Sequence, residues 1–406
     1  MITQQSQQPS LSLEQIAANF KAAALTILTL KYQTIACKPL CIWGTSLFGR
    51  TVKKILEDCG YGAQIKCFIN SFHSPQQKTQ IDGIDELDPT TALNCYQEAV
   101  IIIASDFFPQ IEATIRNLHA SNQLFRIVSS QHSSHLEKLL RFYYFSVADS
   151  LTPIDVIGDL KDWFAFFYHL KQQGTLTEQT KQITALLEDE ESVRCFLNLV
   201  GFYTSGNLQL LLETCTDEPQ YFSPHFYPIT DKEVIFDCGA FNGDTIRLFT
   251  QNHTKYAKIL AFEPDSNSVT ALSSFINHRK LANIKIIQAA VGNAAGNRGF
   301  IMQGTQGGHL VSSDRADSLI NTIRLDDFFA DRPTLIKMDI EGAELEALQG
   351  AQRIISTYRP KLAICVYHRP EDLFSIPLYL KELNPEYHFK LRKHSQTVYE
   401  TVLYAY

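Results

Sequence analysis

A chain of 406 residues with a formal net charge of −7 is long enough for two or three domains, each with a buried core. No basic block interrupts the sequence, which counts against a nucleic-acid partner. The nine cysteines form no C-x-x-C pair and no metal-like cluster with histidine, a usage that favours a reducing compartment. The stretch Met1 to Ser12 is polar and lacks the basic flank and apolar core of a signal peptide. No apolar run is long enough to span a bilayer, so the sequence predicts a cytoplasmic address and no membrane partner.

After a Gln- and Ser-rich lead, Leu13 to Leu30 reads as an amphipathic helix; residues 1–34 form this first segment. Residues 35–130 alternate strand and helix. Strands are expected at Pro39 to Gly44, Ile65 to Asn70, Ala99 to Ala104 and Phe125 to Val128. Helices are expected from Gly44 through Leu56 and over Pro109 to Leu118, with a polar loop after Asn70. That alternation predicts a small doubly wound α/β sheet. Gly44 and Gly49 look like part of a dinucleotide fingerprint, but Ser46 holds the place of the middle glycine. Asn70 stands where an acid usually binds ribose. The segment resembles the small Rossmann-like domains attached to sugar-modifying enzymes, which implies recognition of a carrier or nucleotide-sugar.

Residues 131–229 are expected to be a helical connecting region. Trp163, Phe164, Phe166, Phe167 and Leu170 make one apolar face, and Val193, Phe196, Leu197, Val200 and Tyr203 another, both read as core. The acidic run Glu188 to Glu191 reads as a helix-start charge preference. Tyr221-Phe222 and the nearby Pro224 and Pro228 lead into the last domain, residues 230–406, and their rings are candidates to line a substrate mouth.

That domain opens with Val234-Ile235-Phe236-Asp237-Cys238-Gly239-Ala240-Phe241-Asn242-Gly243-Asp244-Thr245. A buried parallel strand ends in a carboxylate, passes through a two-glycine turn and starts a helix. Glycines let backbone approach a ligand, and the helix N-terminus offers free N–H groups. Asp237 would repel a pyrophosphate but suits a ligand with cationic groups, and S-adenosylmethionine carries both an ammonium and a sulfonium. The next strand, Lys258 to Pro264, places Glu263 where a carboxylate can accept bonds from ribose hydroxyls. A third strand through Ile284 to Gly292 is expected to bring Gln288, Ala289 and Ala290 to the adenine. An insertion, Asn297 to Ile323, reads as short antiparallel strands carrying the loop Gly304 to Ser313.

A fourth strand, Leu335 to Glu344, carries Lys337, Asp339 and Glu341 in alternation, on one side if the strand continues. Charged groups there would lie at the crevice where such sheets bind ligands; the structural alternative is that Lys337 pairs with an acid. A fifth strand, Lys361 to Tyr367, ends at His368. Tyr387 to His394 and Val398 to Tyr406 read as a terminal antiparallel hairpin, the finish of a methyltransferase sheet rather than of a dehydrogenase one.

Four blocks carry a resemblance to the FkbM-type family of S-adenosylmethionine-dependent methyltransferases: Phe236 to Thr245; Ala261 to Pro264; Ile323-Arg324-Leu325-Asp326-Asp327-Phe328; and Ile336 to Glu344 with Leu348 and Gly350. The segment Leu187 to Leu212, with Tyr221-Phe222, is similar to members that carry an extra amino-terminal domain. The resemblance implies a class I methyltransferase sheet, mostly parallel with a C-terminal hairpin, after a smaller Rossmann-like domain and a helical linker. It also implies S-adenosylmethionine as donor and a hydroxyl of a sugar, glycan or secondary metabolite as acceptor.

On this reading Asp237, Gly239, Ala240, Asn242, Gly243, Asp244, Thr245, Glu263, Pro264, Gln288, Ala289 and Ala290 hold the donor. Asp339, Glu341, His368 and Lys337 form the catalytic group, with Asp339 or His368 as base. No metal is expected, because no third dedicated ligand accompanies the two acids. The rivals are a nicotinamide-dependent oxidoreductase using the first domain and a non-catalytic binding module. The oligomeric state stays open, a homo-oligomer included.

Overall fold

The computed structural model describes residues 11–33, 35, 37–45, 47–74, 79–104, 108–118, 122–127, 156–302, 308–311, 318–395 and 398–406. Ser46, most of the stretch 131–160 and parts of the loop Gly304 to Ser313 lie outside the described residues. The chain divides into two compact units, Met1–Leu160 with Ser205–Leu208, and Lys161–Thr204 with Gln209–Tyr406.

In the first unit the strands are β1 (Leu40–Trp43), β2 (Ile65–Ile69), β3 (Thr79–Ile81), β4 (Ile84–Leu87), β5 (Val100–Ala104) and β6 (Leu124–Ile127). They form one sheet of order β3-β4-β2-β1-β5-β6, parallel except for β3. β1 and β5 are buried along their whole length, as an unbroken apolar run in a parallel sheet requires. The expected polar loop after Asn70 instead holds β3, β4 and the helix Pro89–Cys95. Asp88 caps that helix by accepting from the amides of Thr90 and Thr91 at 3.0 and 3.1 Å. Two short strands of three and four residues, about half of them polar, leave no period to detect in the sequence.

The second unit holds β7 (Val234–Cys238), β8 (Lys258–Phe262), β9 (Ile284–Ile287), β14 (Leu335–Met338), β15 (Lys361–Cys365), β16 (Phe389–Lys393) and β17 (Thr401–Ala405) in one sheet. Its order is β16-β17-β15-β14-β7-β8-β9, with β17 antiparallel to both neighbours and the rest parallel. The order reverses at β7 and β14, and the crevice beyond the carboxyl ends of the strands at such a switch point is where these sheets bind ligands.

The expected third strand stops at Ile287, whose carbonyl accepts from the amides of both Glu263 and Ala289. The chain then leaves the sheet. Ala290–Val291 (β10) joins β11 (Gly296–Met302), β12 (Gly308–Val311) and β13 (Ser318–Ile323) in a separate sheet of order β10-β13-β11-β12. The helices between Lys161 and Thr204 pack within this unit: Trp163 and Phe167 stack on Tyr203 at 4.7 and 5.2 Å, and Phe167 and Phe196 meet Phe374. These stripes are core except for Leu197, expected to be buried but 43% exposed on the outer side of its helix. Burying each such ring stabilises by about 1.5–3 kcal/mol.

Asp189, from the acidic run, accepts the amide of Ser192 at 2.7 Å and pairs with buried Arg392 of β16 through both oxygens. Burial opposes its charge, but the bonds from Arg392 and Ser192 outweigh that and hold it down to about 2. No described helix is long and apolar enough to cross a membrane.

Candidate donor and acceptor crevice

β7 delivers Asp237 to its carboxyl end, and the chain then turns through three left-handed residues, Gly239 (φ 78°), Phe241 (φ 43°) and Gly243 (φ 88°). The amides of Gly239 and Ala240 both donate to the carbonyl of Phe262, which ties the turn to the end of β8. A Cβ on Gly239 would lie 1.9 Å from the Asp339 carbonyl oxygen. Only glycine lets the loop run this close to β14. Gly239→Ala should therefore lower the melting temperature and abolish donor binding, because the left-handed backbone alone costs ~1–2 kcal/mol before the clash is counted.

Asp244 opens the helix Asp244–Asn252, and its carboxylate accepts the Thr245 amide at 2.8 Å. Asn242 is half-buried, and its side-chain oxygen accepts no hydrogen bond. Ala240 is fully buried beneath the turn.

Glu263 is 7% exposed. One of its oxygens accepts the Phe241 amide at 2.8 Å, and the other the Asp265 amide at 2.9 Å. Burial raises its pKa. Pro264 follows, half-buried, and Asp265 caps the helix Ser266–Arg279 through Ser268. Gln288 is exposed and Ala289 and Ala290 are buried; the shared Ile287 carbonyl puts this turn beside Glu263.

The alternation of Lys337, Asp339 and Glu341 does not survive as a strand face, because β14 ends at Met338 and Glu341 and Gly342 take left-handed angles (φ 56° and 91°). Lys337 points back between the strands. Its Nζ lies 3.2 Å from Asp237 Oδ1 and donates to the Gly239 carbonyl at 2.8 Å. Burial works against its charge, but Asp237, Asp339 and Asp244 raise its pKa and keep it an ammonium. Burial, with Asp244 and Asp339 nearby, pushes Asp237 up to about 6 despite Lys337. Neither oxygen of Asp237 accepts a conventional hydrogen bond. Lys337 is thus a buried counter-ion that pins the glycine turn.

Asp339 accepts from two tyrosine hydroxyls, Tyr221 on Oδ2 at 3.1 Å and Tyr367 on Oδ1 at 3.0 Å. Burial opposes its ionisation; Lys337, His368 and the two hydroxyls overcome that and lower its pKa. His368 has Nε2 at 3.4 Å from Asp339 and 3.5 Å from Glu341, and Nδ1 at 2.9 Å from Glu344. Burial would lower its pKa, but Glu344, Asp339 and Glu341 drive it up to about 10. At neutral pH that keeps His368 an imidazolium, which has no lone pair to accept a proton.

Asp339, Glu344 and His368 place ligand atoms within 4.8 Å of one another, the third ligand that sequence reading did not find. Each ring nitrogen faces a different carboxylate, however, so in this arrangement the ring itself is the cation between the acids.

Three contributors to the crevice escaped the sequence reading: the hydroxyl of Tyr367, fully buried Glu344, and Asp372, whose pKa burial and Glu344 push up to about 7. Tyr221 was expected only as a ring at a substrate mouth, and its hydroxyl reaches Asp339. Glu344 sits in a quoted block, but its spacing from His368 across two elements leaves no signal in the sequence. In the first unit, a Cβ on Gly44 would meet the Ala104 carbonyl at 2.2 Å, and one on Gly49 the Gly44 carbonyl at 1.9 Å. Close backbone packing accounts for both glycines, and Asn70 donates to Glu86 at 2.7 Å.

Residues 237–389 match the family model of the methyltransferase FkbM domain. Among solved structures, the chain is similar to methyltransferase FkbM from Methylobacillus flagellatus KT, at 21% identity over 97% of this chain and 100% of that one, with a TM-score of 0.57. An rRNA methylase from Streptococcus thermophilus matches at 13% identity over 50% of this chain and 93% of that one, with a TM-score of 0.30. Fibrillarin from Aeropyrum pernix, solved with natively bound S-adenosyl-L-methionine, matches at 11% over 44% and 70%, with a TM-score of 0.29. No curated protein matches the chain. On the family match, the fold and the crevice together, the chain carries an FkbM-type methyltransferase domain on a class I, Rossmann-like sheet, and is a methyltransferase by that domain.

Proposed function

We propose that this protein transfers the methyl group of S-adenosylmethionine to a hydroxyl of a sugar, glycan or secondary metabolite. The observation that carries the donor is the pairing of the Gly239 turn, which a Cβ would block, with Glu263, held at the next strand end by two backbone amides. These residues fit the donor: Glu263 keeps further lone pairs for ribose hydroxyls, and Asp237, paired with Lys337 through Oδ1 at 3.2 Å, keeps Oδ2 without a hydrogen bond, suited to an ammonium. The exposed Gln288 with Ala289 offers an edge for adenine.

When bound, the donor supplies an electrophilic methyl on sulfur. Asp339, anionic between its two tyrosines, accepts a hydrogen bond from the acceptor hydroxyl, aligns it, and takes its proton as the oxygen is methylated. Its lowered pKa makes it a modest base, so alignment is the larger part of its work. The acceptor is a small molecule or a glycan, with neither nucleic acid nor membrane as partner.

The test is calorimetric titration of the whole protein with S-adenosylmethionine, S-adenosylhomocysteine, NADH and NADPH, followed by mass spectrometry of a hydroxylated acceptor panel. Binding of the first two and a gain of one methyl on an acceptor are expected; binding of nicotinamides alone would move the chemistry to the first unit and defeat the proposal. A pH dependence follows from Asp237. Its anion is the form that binds an ammonium, so donor affinity should be full at pH 7.5 and fall through pH 6, by about tenfold at pH 5. Asp237→Asn should bind weakly at every pH; a wild-type profile flat from 7.5 to 5 would remove Asp237 from the donor site.

A further inference from the structure

We propose that Tyr221 and Tyr367 are positioning residues that fix the Asp339 carboxylate toward the reacting group. The inference rests on the donor reading of the crevice. Tyr221 stands out because it is a bulky residue in the left-handed region, φ 66°, and 5% exposed. Such backbone persists only where its surroundings over-determine it, and the surroundings here are specific. Its amide donates to the Tyr404 hydroxyl at 3.0 Å, and its carbonyl accepts the Tyr227 hydroxyl at 2.5 Å.

The chain of bonds continues with a fixed direction. His394 Nδ1 lies 3.1 Å from the Glu218 carbonyl, which can only accept, so that nitrogen carries the proton. Nε2 is then left to accept from the Tyr404 hydroxyl at 2.7 Å, and the Tyr404 oxygen is left to accept from Tyr221. The terminal hairpin therefore holds the strained Tyr221 backbone in place.

What that arrangement delivers is one hydroxyl onto Asp339 Oδ2, matched by Tyr367 on Oδ1. With a donor on each oxygen the carboxylate cannot rotate. It also stays 3.4 Å from the His368 ring rather than closing onto it. The backbone carbonyl of Asp339 abuts Gly239, so the residue stands beside the turn read above as holding the donor.

The experiment compares S-adenosylhomocysteine with sinefungin, an analogue bearing a charged amine where the donor carries its methyl. Wild type should prefer sinefungin. In Tyr221→Phe and Tyr367→Phe, S-adenosylhomocysteine affinity should stay within about twofold, while the preference for sinefungin falls by about tenfold as the freed carboxylate collapses onto His368. Tyr404→Phe, which touches neither ligand nor Asp339, should reproduce the Tyr221→Phe result. An unchanged preference in the two Asp339-contacting variants would overturn the proposal. So would a parallel loss of both affinities, which marks a merely structural role. Failure of wild type to bind either compound would overturn the donor reading as well, and that failure is told apart by the wild-type titration alone.

Discussion

Lys337→Met should destabilise the protein by about 3–5 kcal/mol at pH 8 in urea unfolding. Lys337 and Asp237 are 2% and 1% exposed, and the ammonium is the only group placed at ion-pair distance from that carboxylate among the described residues. Methionine fills the space of the stem and leaves Asp237 buried beside Asp244 and Asp339 without its counter-ion. The sign of the pH effect follows. Asp237 in the variant is pushed further above its unfolded value, so the folded state binds the proton more tightly, and stability is lost as pH rises through the folded pKa. The variant should be closest to wild type at pH 5 and furthest from it at pH 8. Adding Asp237→Asn should recover most of the loss, since replacing both members removes the stranded charge. A loss under about 1 kcal/mol, or one independent of pH, would mean that water reaches the pair.

Much of this crevice was legible because its backbone demands leave marks on residue type. A left-handed turn in contact with the next strand accepts only glycine, and Gly239 is there. A strand end beside an amide-rich turn suits an acid, and Glu263 is there. The block containing Asp326 turns out to be structural: its carboxylate accepts the amides of Arg353 and Ile354 at 3.0 and 2.9 Å and caps the helix Gln352–Tyr358. Gly350 has a like reason, since a Cβ there would sit 2.1 Å from the Gly292 carbonyl.

What stayed hidden were properties of pairs distant in the chain. That His368 is a cation depends on Glu344, Asp339 and Glu341 converging from a different turn. That Lys337 pairs with an acid was one of the two readings open in the sequence; which acid it meets follows from register, Lys337 on β14 standing opposite Asp237 on β7. Tyr221 looks like any aromatic until its φ and its four hydrogen-bonding partners are known. Strand alternation presumes a continuing strand, and functional loops are where strands stop.

Glu263→Ala should weaken S-adenosylmethionine binding by about 100-fold or more while leaving most of the fold in place. Two losses combine. Hydrogen bonds from ribose hydroxyls to a buried carboxylate contribute about 1.5–3 kcal/mol each, and alanine offers no acceptor. The amides of Phe241 and Asp265 also lose their partner. Phe241 sits at φ 43° in the glycine turn, so an untethered amide there lets the turn relax away from the shape the donor needs. Glu263→Gln separates the two effects. Its amide oxygen can still accept one backbone N–H, and its uncharged side chain can still bond one ribose hydroxyl, so it should fall between wild type and alanine in affinity. Thermal melting of both variants reports the turn, and calorimetry reports the ligand. A Glu263→Ala protein that melts like wild type and binds within threefold of it would place the ribose elsewhere, and with it the donor. A variant that melts several degrees lower yet binds normally once folded would make Glu263 a scaffold for the turn and nothing more.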